Sequence, residues 1–71
     1  MNALTNLRLN LKRLRKSKGL TQEEVAEKAG LDFRHYQRIE TGKWPGLQLH
    51  TIESLAKVFK ADVYELFMPP P

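Results

Sequence analysis

Cysteine is absent from this 71-residue chain, so neither a disulfide nor a thiolate-held metal can staple it. Stability must come from packing, and the length accommodates one small domain. The lack of thiols suits a reducing cytoplasm. No apolar stretch is long enough to cross a bilayer, and the first residues lack the charged-then-apolar layout of a signal peptide, so no membrane partner is expected. There is no glycine-rich phosphate loop and no nucleophile set beside a base. His35 and His50 are not neighbours in sequence, and no Cys, His or Asp cluster has metal-ligand spacing. Catalysis, a cofactor and a metal centre are therefore not expected. Acidic residues are missing from the N-terminal third. Residues 1–22 carry Arg8, Lys12, Arg13, Arg15, Lys16 and Lys18 with no Asp or Glu, while the remainder is nearly balanced and the whole chain is +4. A basic N-terminal third implies contact with a polyanion; the plainer reading is a solvated helix face.

What the chain does contain is helical periodicity. Leu4, Leu7, Leu11 and Leu14 form one apolar stripe, predicting a first helix from about Thr5 to Lys18 with Leu9 on the opposite side. Gly19 then ends the helix and Leu20 folds back as its apolar partner. Thr21 with Glu24 makes a capping box for a second helix over 22–29, with Val25, Ala26 and Ala29 on one face. Gly30 can take the left-handed conformation that closes this helix, and Asp32 caps a third, Phe33 to Thr41. On that helix Tyr36, Ile39 and Glu40 cluster on one side, and Phe33, Arg34, Gln37 and Arg38 on the other. A fourth helix is expected from about Leu49 to Lys60, with Leu49, Ile52, Leu55, Ala56 and Phe59 inward. A fifth runs from Val63 to about Phe67, capped by Asp62. No segment alternates convincingly as a strand. The expected architecture is all-α: a five-helix domain over 1–68, with leucines, Val25, Ile39, Ile52 and Phe59 in its core. Pro69–Pro71 should be an extended, mobile tail.

Two helices joined by a turn of about three residues, Gly30 to Asp32, have the form of a helix-turn-helix. Arginines on the outer side of the second of these helices suit the DNA major groove, because a guanidinium can bond guanine O6 and N7 together. The competing reading of Arg34 and Arg38 is solvated charge. Phe33 has two readings, packing on thymine methyls or stapling the turn. Gln37 suits an adenine edge, a phosphate or solvent. Which arginine would read a base is open.

The stretches LKRLRKSKGLTQEEVAEKAG at 11–30, YQRIETGK at 36–43 and LAKVFKADVYEL at 55–66 resemble the lambda-repressor-like, or Xre-type, family of bacterial and phage repressors. The resemblance covers residues 7–67. It implies a five-helix lambda-repressor-like DNA-binding domain that binds double-stranded DNA as a homodimer on a roughly palindromic operator. Half-sites would lie one turn, about 34 Å, apart. By that resemblance Phe33, Arg34, Gln37 and Arg38 would face bases, and Gln22, Thr41 and Lys43 phosphates. Arg15 and Glu40 match an internal ion pair between the first and third helices. Tyr64, Phe67 and Met68 would lie at the dimer contact, or else in ordinary core packing, and Trp44 has the same two readings.

Three departures stand out. Thr41 replaces a commoner asparagine. The loop at Trp44–Gln48 is about one residue longer than the usual pattern. Lys60 replaces a frequent glycine, so the turn after the fourth helix is expected to close differently. Other functions compatible with the frame are an antitoxin with a protein toxin partner, a restriction–modification controller protein, and a protein-interaction module that never touches DNA.

Overall fold

The computed structural model describes residues 2–43 and 47–71; the expectations for Trp44 and the start of its loop lie outside them. Among the described residues there are five helices and no strand: α1 (Ala3–Ser17), α2 (Gln22–Ala29), α3 (Phe33–Thr41), α4 (Leu49–Val58) and α5 (Val63–Phe67). The Asn2 side chain accepts from the Thr5 amide at 2.8 Å, so α1 starts two residues earlier than its periodicity alone suggested. Leu7 and Leu11 are fully buried and Leu14 packs at the core edge. Leu4 departs from the expected stripe and is 44% exposed. It sits on the first turn, where it lines a surface cleft rather than the core. Leu9 is half-buried instead of standing clear on the opposite side.

The turns follow the expected chemistry. Gly19 adopts φ 67°, and the Leu20 amide reaches back to the Arg15 carbonyl at 3.0 Å. Thr21 and Glu24 exchange their hydrogen bonds at 3.1 and 2.9 Å. The backbone amide of Thr21 holds the Glu24 carboxyl below its usual range. Gly30 is left-handed at φ 71°, the Leu31 amide bonds to the Ala26 carbonyl at 2.8 Å, and Asp32 accepts from the Arg34 amide at 2.8 Å. These contacts fix the exit of α2 and the entry of α3.

The core joins Leu7, Leu11, Val25, Ala26, Tyr36, Ile39, Ile52, Leu55, Ala56, Phe59 and Leu66. Two expectations for α4 fail. Leu49, the first residue of the helix, is 65% exposed and lies outside the core. The helix also stops at Val58, although Phe59 remains buried beyond it. The turn that follows closes as a glycine turn would. Lys60 itself takes φ 53°, and the Ala61 amide bonds to the Ala56 carbonyl at 2.9 Å. Burial of Phe59 and Leu66 on either side holds that strained residue in place.

Two side chains that the apolar pattern passes over tie α5 down. Asn10 is buried, and its amide nitrogen donates toward the carbonyls of Leu66 (2.9 Å) and Met68 (2.7 Å), with Glu65 at 3.4 Å. One turn earlier, Asn6 donates to the Phe67 carbonyl at 2.9 Å. The last carbonyls of a short helix are thus satisfied by α1. Replacing Asn10 with Ala should cost about 2 kcal/mol, since several buried carbonyls lose their donor. Lys60→Gly should stabilise by about 0.5–1 kcal/mol through relief of the left-handed backbone. Urea unfolding of both variants checks these opposite signs.

Candidate nucleic-acid interface

The surface of α3 is set by what its inner side buries. Tyr36, Ile39 and Glu40 are inaccessible, which turns Arg34, Gln37, Arg38 and Thr41 outward on one face. Phe33 sits at the same surface and is 38% exposed. An α-helix with its side chains is about 10–12 Å across, which a major groove about 12 Å wide admits. The single carboxylate of α3 is Glu40, and it points inward. The exposed face therefore carries two guanidiniums and no acid.

Glu40 is fully buried and meets Arg15 of α1. Arg15 Nη2 lies 2.7 Å from Oε1, and Nε lies 3.0 Å from Oε2. Arg15 also donates through Nη1 to the Leu20 carbonyl at 3.0 Å, and Gln22 Nε2 donates to Glu40 Oε1 at 3.2 Å. One carboxylate thus joins α1, the start of α2 and α3. Burial acts to raise the Glu40 carboxyl, but the hydrogen bonds from Arg15 and Gln22 outweigh it and hold the group below the usual range. The same contact raises Arg15. Tyr36, one turn before Glu40, is buried with its hydroxyl lacking a well-placed hydrogen-bond partner. Burial first, then the nearby carboxylate, pushes its ionisation far above the ordinary phenol range.

The other residues singled out in the sequence fall in distinct places. Gln22 is half-buried at the first position of α2, with one amide hydrogen engaged by Glu40. The Thr41 hydroxyl donates back to the Gln37 carbonyl at 2.9 Å. Lys43 follows Gly42, the left-handed cap of α3, and is exposed. Tyr64 and Met68 are exposed and Phe67 is half-buried on α5 and just beyond it, away from these groups in the chain. Apolar periodicity gave no sign of the Asn6 and Asn10 clamp or of the Gln22 contact. The signal available was an Asn pair at i, i+4 beside the leucine stripe.

Comparison with known proteins agrees with this geometry. A helix-turn-helix family, HTH_3, matches residues 11–66. The chain belongs to this lambda-repressor-like family of DNA-binding transcription factors. A Neisseria hypothetical transcription factor from Neisseria meningitidis serogroup B is 34% identical over 64 residues, which is 90% of this chain and 59% of that protein. The chain therefore spans about three-fifths of that relative's length. The crystal structure of the hypothetical transcription factor NHTF from Neisseria superposes with a TM-score of 0.90 at 32% identity, covering 97% of this chain and 78% of that one. The restriction-modification controller protein C.AhdI from Aeromonas hydrophila gives 0.82 at 34% identity, over 90% and 96% of the two chains. SinR of Bacillus subtilis, solved in complex with DNA, gives 0.80 at 27% identity over 87% and 98%.

The buried pair makes a pH prediction. The Glu40 carboxyl is lowered by folding, so its contribution is present above the unfolded value near 4.5 and is lost as pH falls through the lower folded value. Stability should fall with acidification below about pH 4.5, and Glu40→Gln should flatten that fall. Glu40→Ala should cost about 3 kcal/mol at neutral pH by leaving Arg15 unpaired. Thermal unfolding across pH measures both.

Proposed function

We propose that this protein is a transcriptional repressor that binds a two-fold symmetric operator as a homodimer. The observation that carries the reading is the outer face of α3, where Arg34, Gln37 and Arg38 stand exposed while the helix's own acid is buried and neutralised. In this reading Phe33, Arg34, Gln37 and Arg38 read base edges. Gln22, Lys43 and Thr41 hold phosphates and set the register. Gln22 keeps a second amide hydrogen for that purpose, whereas the Thr41 hydroxyl must first give up its bond to Gln37. The exposed Tyr64 and Met68, with Phe67 between them and the core, supply an apolar surface for a second copy.

A second reading is a controller protein of a restriction–modification system. It is favoured by the likeness to C.AhdI, of which this chain covers 96%. Both readings share the same DNA contact and differ in the genes served.

Charge reversal at Arg34 and Arg38 together should abolish binding to a site selected from random duplexes, with thermal stability unchanged. Wild-type affinity for that site should fall steeply between 50 and 200 mM salt, as expected when several phosphates are neutralised. A double variant that still binds the selected duplex would move the DNA contact off the face of α3, and a wild-type protein that selects no duplex at all would leave a protein-interaction role instead. The selected sequences themselves report symmetry and half-site spacing.

A further inference from the structure

The basic N-terminal third can be sorted by what each cation touches. Arg15 is spent inside the molecule on Glu40. Arg13 donates to the Asn10 side chain at 3.2 Å, on the side of α1 that faces α5. Lys16 and Lys18 are exposed at the far end of α1. Arg8 is different. Its side chain runs along the C-terminal end of α3, with Cδ 3.2 Å and Nε 3.6 Å from where a Cβ on Gly42 would stand. The glycine at 42 is favoured by its φ of 82°, and an added Cβ would also press the Arg8 stem aside by a few tenths of an ångström.

Arg8 is half-buried by this contact, and among the described residues it forms no ion pair or hydrogen bond. Arg8 also lines a cleft of about 240 Å³ with Asn2, Leu4, Thr5, Thr41 and Gly42, none of them acidic. Lys43 follows immediately in sequence, and Lys12 stands one turn further along α1. A stem held by packing leaves less entropy to lose when the head group meets a ligand. An arginine head with several donors and no protein acceptor is suited to bidentate binding of a phosphate.

We propose that Arg8 is a phosphate-binding residue of the DNA interface. It would carry the contact from α3 across Gly42 onto α1 and act with Lys43 on the backbone beyond the groove that α3 occupies. The proposal rests on the DNA-binding reading above and adds a third helix to the surface that meets the duplex. Such a contact positions the protein without reading sequence.

The test is a salt titration of Arg8→Met, which keeps the stem over Gly42 and removes the charge, against a mixed-sequence duplex of about 30 base pairs and against a selected site. The same titration of Arg8→Gln guards against a fault specific to one substitution. Both variants should lose affinity for the two duplexes by the same factor. The slope of log affinity on log salt should shrink by about 1.8, about 0.9 for each of the two Arg8 contacts in the dimer. Between 50 and 200 mM salt the variants should therefore lose about 12-fold less affinity than the wild type loses. Arg8→Lys should restore most of the slope. An unchanged slope in both neutral variants, with wild-type unfolding temperatures, would overturn the assignment of Arg8 while leaving Arg34 and Arg38 in place. Loss of discrimination between the two duplexes would overturn it as well, since that is the signature of a base contact. Retained binding after charge reversal at Arg34 and Arg38 would instead remove the reading on which the proposal stands.

Discussion

One carboxylate organises this domain. Glu40 accepts from Arg15 and Gln22, and Arg15 also holds the carbonyl of Leu20, so three helices and the turn between two of them meet at a single buried charge. A buried ion pair returns little net stability once desolvation is counted. Its value is geometric. Hydrogen bonds of fixed direction set how α3 lies on α1 and α2, whereas the apolar contacts of Leu11, Val25 and Ile39 would tolerate some sliding. The orientation of α3 is what turns Arg34 and Arg38 outward, so an interior interaction governs the surface the domain presents.

That interaction also shapes the charge of the surface. The acid that would have weakened the positive face of α3 is turned inward and neutralised. The cations of α1 are divided between structure and solvent. Arg15 and Arg13 serve the packing of α3 and α5 respectively, while Arg8 is laid along the end of α3. A sum over the first 22 residues conceals this division of labour, because formal charge does not distinguish a guanidinium that is already paired from one that is available.

Much of the fold was legible because local chemistry and apolar periodicity agreed. Thr21 with Glu24, Gly30 and Asp32 mark the boundaries of α2 and α3 by hydrogen bonds that span only a few residues, and those boundaries needed no tertiary information. Leu4 and Leu49 were misjudged for the opposite reason. Each lies on the correct face of its helix but on the first turn, at the margin of the core. Lys60 was misjudged because its local cost is modest beside the burial of Phe59 and Leu66 that the turn makes possible. In the candidate site the outward face of α3 followed from helical geometry alone. The engagement of Gln22 by Glu40, the clamp of Asn6 and Asn10 on α5, and the path of Arg8 over Gly42 did not. They join residues up to 61 positions apart, and no local pattern encodes such pairings.

The seclusion of Glu40 separates two responses to ionic strength. Dissolved ions weaken attraction between groups they can approach, and they cannot approach a carboxylate with no accessible surface. Raising electrolyte concentration can thus strip such a domain from a polyanion while the junction of its first three helices stays intact. The released protein keeps its shape and is ready to rebind as soon as the ions are diluted.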